Sequence, residues 1–309
     1  MPALSPSAPS TARTLHILNP DVWLKRARRH RERIQPWTEA YRTRASSRHP
    51  HPVYDFLFSY YSFRPAQLET WHPGFETALA FNKKKQIQPY LRSSKYSTTN
   101  SNTVLADPAT LTHPQIKRFH WILSLLKKTS LAPPHFRCFG LHEWAMVYHI
   151  TAAERRHHQF RLRLTEKEIA YVIEHHSLSC THFDAFRFFA PSASRRNRHQ
   201  PTLDSRLSLE QPACIHTNMD LYKWAYKLTP WIPGELLADS FELATIAREI
   251  DMRASPYDLT DLGFQPITIE TSEGKKAYEA QQRELAEAAA LIRDRLISRL
   301  NRLLTTVSG

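Results

Sequence analysis

The segment EQPACIHTNMDLYKWAYKLTPWIPGELLADSFELATIAREIDMRA, Glu210 to Ala254, reads as two helices joined across Pro230 to Gly234. In the second, Leu236, Phe241, Leu243, Ala244 and Ile250 supply apolar residues for a core, as in a helix that packs on a neighbour. The same helix carries Asp239, Glu242, Glu249 and Asp251. Acids three apart on a helix can face one site, or simply water.

Working outward, helical signals outnumber strand signals. Pro114 to Ser130 has an apolar stripe through Ile116, Phe119, Ile122, Leu123 and Leu126, with proline in its first turn. Asn19-Pro20-Asp21 opens a basic helix that Pro36 bends or interrupts before it continues to Arg48. Val53 to Phe63 reads as a buried aromatic helix, and Thr165 with Glu168 as a reciprocal helix cap. Strands are fewer: Phe160, Leu162 and Leu164 alternate with arginines, Phe264 to Thr271 alternates briefly, and Thr77 to Pro108 reads as a long loop or a pair of short strands. The expected fold is mainly α (α+β), a helical bundle-like core with a small antiparallel sheet. Residues 1–18 are expected to form a disordered tail and 19–272 a single mainly helical catalytic domain. Residues 273–309 form a long helix that packs on this domain or on a partner, a route to an oligomer.

Composition narrows the function classes. The 309 residues include only 6 glycines, and no Gly-rich phosphate loop of the Rossmann or P-loop kind occurs, which argues against a nucleotide-binding architecture. Net charge is +13, and nine lysines and arginines fall between Lys25 and Arg48; such a balance suits a polyanionic partner such as DNA, or a solvated surface. The 3 cysteines form no even-numbered framework, which suggests a reducing compartment. With no secretory signal and no run of about 18 apolar residues, the expected address is cytoplasmic, with no membrane contact.

Chemistry concentrates between Cys138 and Asp220. Each cysteine shortly precedes a histidine: Cys138 before His142-Glu143, Cys180 before His182, and Cys214 before His216. Thiolate, imidazole and carboxylate together are a usual ligand set for zinc or non-haem iron, and imidazole beside carboxylate equally equips a general acid/base site. The cysteines are either ligands or small apolar core residues. His142, Glu143, His182, Asp184, His216 and Asp220 interrupt apolar and aromatic runs, where burial costs several kcal/mol unless they are paired or metal-bound. This gives two readings: a metal-independent hydrolase with Asp184, Glu143 or Asp220 as its catalytic carboxylate, or an iron or zinc enzyme with His142, His182 and His216 as ligands. A third reading makes these residues a polar network that only fixes the core of a nucleic-acid-binding scaffold.

Five segments, HPVYDFLFSYYSFRPAQLETWHPG, CFGLHEWAMVY, SCTHFDAFRFF, EQPACIHTNMDLYKWAYKL and EIDMRASPYDLTDLGFQPITIET, resemble a bacterial family labelled 3-methyladenine DNA glycosylase, over roughly residues 52–281. The resemblance implies hydrolytic release of an alkylated purine flipped out of the duplex, in base-excision repair and with no cofactor. Such chemistry wants rings to stack the base, a carboxylate, and cations for the phosphates. Tyr60, Tyr61, Trp71, Trp144, Phe183 and Trp224 are the stacking candidates, Asp184 or Glu143 the carboxylate, and Arg195 and Arg196 phosphate contacts beside the Lys25 to Arg48 segment. No Gly-rich hairpin precedes Asp184, so these roles come from the polar islands themselves.

Overall fold

Glu210 to Ala254 does form two helices, and the rest of the chain packs around them. The computed structural model describes residues 15–155 and 160–308. In chain order the elements are β1 (His16–Leu18), α1 (Pro20–Ser47), α2 (Phe56–Ser59), α3 (Pro65–Leu68), β2 (Thr77–Ala80), α4 (Gln88–Leu91), β3 (Tyr96–Thr99) and β4 (Thr103–Ala106). Then come α5 (His113–Leu131), α6 (Leu141–Ala145), α7 (Glu166–His175), α8 (Phe183–Phe186), α9 (Pro191–Ser194), α10 (Arg206–Leu209), α11 (Ile215–Lys227), α12 (Gly234–Arg253) and α13 (Ser272–Ser308). The fold is mainly helical with one small sheet, as the periodicities predict.

The core is the layer formed by α5, α11, α12 and α13. Helix α13 has 37 residues and is therefore about 55 Å long. Its buried stripe, Tyr278, Leu285, Ala289, Ile292, Leu296, Leu300 and Leu303, is used within the chain, against α5, α11 and α12. At its start Gly274 touches the backbone of Thr268, and a Cβ there would stand 1.9 Å from the Thr268 carbonyl oxygen.

The sheet differs from the expected one. It has four strands in the order β1-β2-β4-β3, with β1 parallel to β2 and the other two pairings antiparallel, so it is mixed. Thr77 to Pro108 supplies three of the strands, and residues 16–18, expected in the tail, supply the fourth. Residues 1–14 of that tail lie outside the described residues. The two other expected strands do not form. Leu162 makes only an isolated bridge to Tyr257, flanked by Arg163 N–H to Pro256 O and Asp258 N–H to Arg161 O, each 2.8 Å; the part of that segment at 156–159 is likewise outside the description. Phe264 to Thr271 is irregular, and of Val53 to Phe63 only α2 is helical.

Helix α1 runs unbroken through Pro36. It is held at both ends of that proline: Trp23, His30, Ile34 and Thr38 form a buried stripe, while Arg26 pairs with Glu235 and Arg33 with Asp239 and Glu242 of α12. Tertiary anchoring thus outweighs the one lost backbone hydrogen bond. Arg42 and Arg44 pair with Glu69 and Asp55, so four of the nine cations from Lys25 to Arg48 are ion-paired within the chain. No helix among the described residues is long and apolar enough to cross a membrane.

Two stability predictions follow from these contacts. Gly274→Ala is expected to destabilise by on the order of 1–3 kcal/mol, read from the shift in a denaturant midpoint; an unchanged midpoint would show that α13 is not seated on Thr268. His30 is 4% exposed, its Nε2 lies 2.8 Å from the Leu68 carbonyl, and burial pushes its pKa below the ordinary value. The unfolded imidazole therefore takes up a proton below about pH 6.5 that the folded one resists, and stability falls with pH. His30→Met, which removes that proton site, is expected to gain on the wild type by up to about 1.4 kcal/mol for each pH unit below 6.5, measured by denaturation at pH 7 and pH 5.

Candidate metal and acid/base site

Four segments converge at the N-terminal end of α11. His216 lies in the first turn of α11, with Asp220 and Lys223 four and seven residues on and hence on one face. Helix α6, which follows Gly140 in the left-handed conformation at φ 74°, presents His142 and Glu143 to α12, where Arg248 and Asp251 stand three apart. His182 and Asp184 open α8, and Arg206 and Glu210 bracket α10.

These residues form two linked groups. In the first, His142 Nε2 is 2.5 Å from Asp251 Oδ1, and His216 Nε2 is 3.8 Å from Asp251 Oδ2. Arg248 Nη1 donates to Asp251 Oδ2 at 2.9 Å and to Glu143 Oε1 at 3.1 Å. In the second, Lys223 Nζ donates to Asp184 Oδ2 at 2.8 Å and Asp220 Oδ2 at 3.0 Å. Arg206 binds Glu210 at 2.6 Å and Asp220 at 3.1 Å, and the Tyr61 hydroxyl donates to Asp220 Oδ1 at 3.0 Å. The imidazoles join the groups: ring centroids of His142 and His216 are 4.5 Å apart, and those of His182 and His216 5.5 Å.

Two triads have ligand atoms within 4.8 Å of one another, His142, His216 and Asp251, and His182, Asp184 and Asp220. The first is a two-histidine, one-carboxylate set, the composition that suits non-haem iron and also zinc. In the second the Lys223 ammonium already bridges the two carboxylates. His182 is 1% exposed, and neither of its ring nitrogens has a hydrogen-bond partner among the described residues; Asp220 Oδ2 and Glu210 Oε1 are 3.5 and 3.8 Å from its Nε2. An imidazole buried so costs about 1–3 kcal/mol.

Electrostatics separate the groups further. Burial opposes the imidazolium at His142, but Asp251 outweighs it and raises His142 well above the ordinary range. Burial, reinforced by His142, His182 and Arg248 and opposed by Asp251, pushes His216 down to about 3. Burial and the charge of Asp251 raise Glu143 against the pull of Arg248. Asp184 and Asp220 resist burial and stay below the usual carboxylate range, chiefly through Lys223. Five carboxyl groups (Glu143, Asp184, Glu210, Asp220, Asp251) thus face Arg206, Lys223, Arg248 and the His142 imidazolium.

A cavity of about 40 Å3 lies over this cluster, walled by Phe56, Tyr60, Phe188 and Tyr257, with Glu143, Asp184, His216 and Arg248 at its polar side. That is room for a few waters. Behind His216 a second chamber of about 10 Å3 is lined by all three cysteines together with His142 and Tyr278. Cys138 Sγ is 3.4 Å from His142 Nδ1, burial raises the Cys180 and Cys214 thiols, and neither of the two compact ligand triads includes a cysteine.

The structure thus brings together His142, Glu143, His182, Asp184, His216 and Asp220, all six polar interruptions of the sequence. Glu143 and Asp184 reach the cavity, while Asp220 lies beneath it, 1% exposed. The other expected site residues lie elsewhere. Trp71, Trp144 and Trp224 are core side chains, 2%, 0% and 4% exposed; Trp144 donates to the Ala254 carbonyl. Tyr61 is buried behind Asp220, and Tyr60 takes the cavity wall in its place. Arg195 and Arg196 are exposed on the loop after α9 and do not line the cavity. Asp251, Arg248, Lys223, Arg206 and Glu210 had no sequence assignment; the i, i+3 and i, i+4 spacings of Arg248 with Asp251 and of Arg206 with Glu210 were the available signal.

Asp251→Ala would leave Arg248 and the His142 imidazolium buried without their partner, an expected loss of about 3–5 kcal/mol. Glu235→Ala, which removes the half-exposed partner of Arg26, is the control at under about 1 kcal/mol; equal losses in the two variants would show that Asp251 does not organise the cluster. Comparison of the chain with family models, with curated proteins and with solved structures gives no match.

Proposed function

We propose that the protein is a metal-dependent enzyme acting on a small molecule, with iron or zinc held by His142, His216 and Asp251 and with His182 as the acid/base group beside it. The observation that carries this reading is the convergence of three imidazoles from separate segments on buried carboxylates. The ring of His182, whose nitrogens have no hydrogen-bond partner among the described residues, supports it, and a divalent cation would take over the charge balance that the His142 imidazolium provides beside Asp251. Such a metal would act as a Lewis acid or, if iron, as a redox centre. Asp251 and the two imidazoles would hold it, and the aromatic walls of the cavity would exclude water from it.

The N-glycosylase reading draws less support from the geometry. Of the rings expected to stack a flipped purine, Tyr61, Trp71, Trp144 and Trp224 are buried, while Tyr60 walls the cavity and Phe183 is half-buried; Asp184 opens on a space of about 40 Å3, too little for a purine without movement of the walls.

Elemental analysis of protein purified without chelators tests the proposal. About one iron or zinc per chain is expected, lost in His216→Ala and retained in His182→Ala. Folded wild-type protein with no stoichiometric metal would overturn it, and base release from alkylated duplex DNA that is abolished by Asp184→Asn would establish the glycosylase in its place.

A further inference from the structure

Three cavities lie in series around His216. This residue lines both the ring-walled cavity and the thiol chamber. Ser179 and Thr181 in turn line both the thiol chamber and a surface cavity of about 460 Å3. Ser179 and Thr181 thus stand between the thiol chamber and an outer space large enough for a small organic molecule.

That outer cavity is cationic. Arg137, Arg198 and Arg283 line it against a single carboxylate, Glu279. Glu279 is taken by Arg283, at 2.6 Å, and the Arg283 guanidinium lies 3.9 Å over the Phe136 ring. Arg137 and Arg198 come from separate segments, and neither forms an ion pair among the described residues. A cleft lined by one sign of charge focuses its field on whatever enters, and burial together with the nearby Arg198 already depresses the pKa of His199 on the same wall. Guanidinium groups pair with carboxylate and phosphate oxygens in a two-pronged geometry. Phe136 and Phe139 add apolar faces beside them.

We infer that this cavity binds a small organic anion, a carboxylate or a phosphate monoester on an aromatic or similarly apolar body, with Arg137 and Arg198 on the anion and Phe136 and Phe139 against the body. This binding does not depend on the metal reading.

Calorimetric titration of the protein as purified, with phenyl phosphate, benzoate and uncharged benzyl alcohol as probes, tests the binding. Saturable binding of an anion and not of the alcohol is expected, and the stronger of the two anions identifies the head group. Arg137→Ala/Arg198→Ala, at two exposed positions and so expected to fold, should weaken it by about tenfold per guanidinium while keeping its metal, and His216→Ala should bind the anion normally. Equal affinity in wild type and the double arginine variant, or no saturable binding of either anion, would overturn the proposal even where the metal is present. Cys138 stands between the lining residues Arg137 and Phe139, so the bound anion is expected to slow its alkylation by iodoacetamide, read by peptide mass spectrometry; an unchanged rate would refute this placement.

Discussion

The Asp251 carboxylate, fully buried on α12, is the constraint on which the remaining architecture depends. A lone charge there would cost far more than the fold can supply. It persists because α6 brings His142 to one oxygen and α12 itself brings Arg248 to the other, while α11 sets His216 close by. Helix α6 is thus tied by one side chain to α11 and α12, about 70 to 110 residues downstream. Arg248 then needs its own accommodation, which Glu143 provides by a hydrogen bond and Phe56 by its ring face, 4.1 Å from the guanidinium.

The neighbouring group solves the same problem differently. There the carboxylates of Asp184 and Asp220 share a lysine ammonium, and Arg206, itself stacked near Trp121 and Trp224, serves Asp220 and Glu210. A flexible ammonium can leave a carboxylate pair more readily than a fixed guanidinium fork can. The two groups differ in the cation that holds their carboxylates, Arg248 in the first and Lys223 with Arg206 in the second. His182 lies between them, and neither of its ring nitrogens has a hydrogen-bond partner among the described residues.

Much of the site was legible because its residues break a pattern. His142, His182 and His216 stand in apolar or aromatic runs, so their burial could be inferred and, from burial, the need for partners. Asp251 breaks no pattern. On a helix with Asp239, Glu242 and Glu249 it reads as one more solvated acid, and only the approach of α6 distinguishes it. The same holds for Lys223, whose charge looks like an ordinary helix surface until α8 brings Asp184 to it. Among the folded elements, the long helices were legible from their apolar stripes. The sheet was not, because its strands have 3 or 4 residues, too few to establish an alternation, and because β1 owes its conformation to pairing with β2, some 60 residues downstream. Pro36 misleads for the opposite reason: a strong local signal yields to anchoring on both sides of it.

Helix α13 gives the fold a temporal order. It supplies Tyr278 and Gln282 to the thiol chamber and Glu279 and Arg283 to the outer cavity, and it covers α5, α11 and α12. On a ribosome the chain emerges from its N-terminal end, so α11 and α12 are made before the helix that seals them. Until then the thiol chamber lacks the wall that Tyr278 and Gln282 give it, whereas the ring-walled cavity takes no residue from α13. The cysteine side of the cluster is therefore closed by the helix made last, while the side faced by Glu143, Asp184 and Arg248 is shaped by segments made before it.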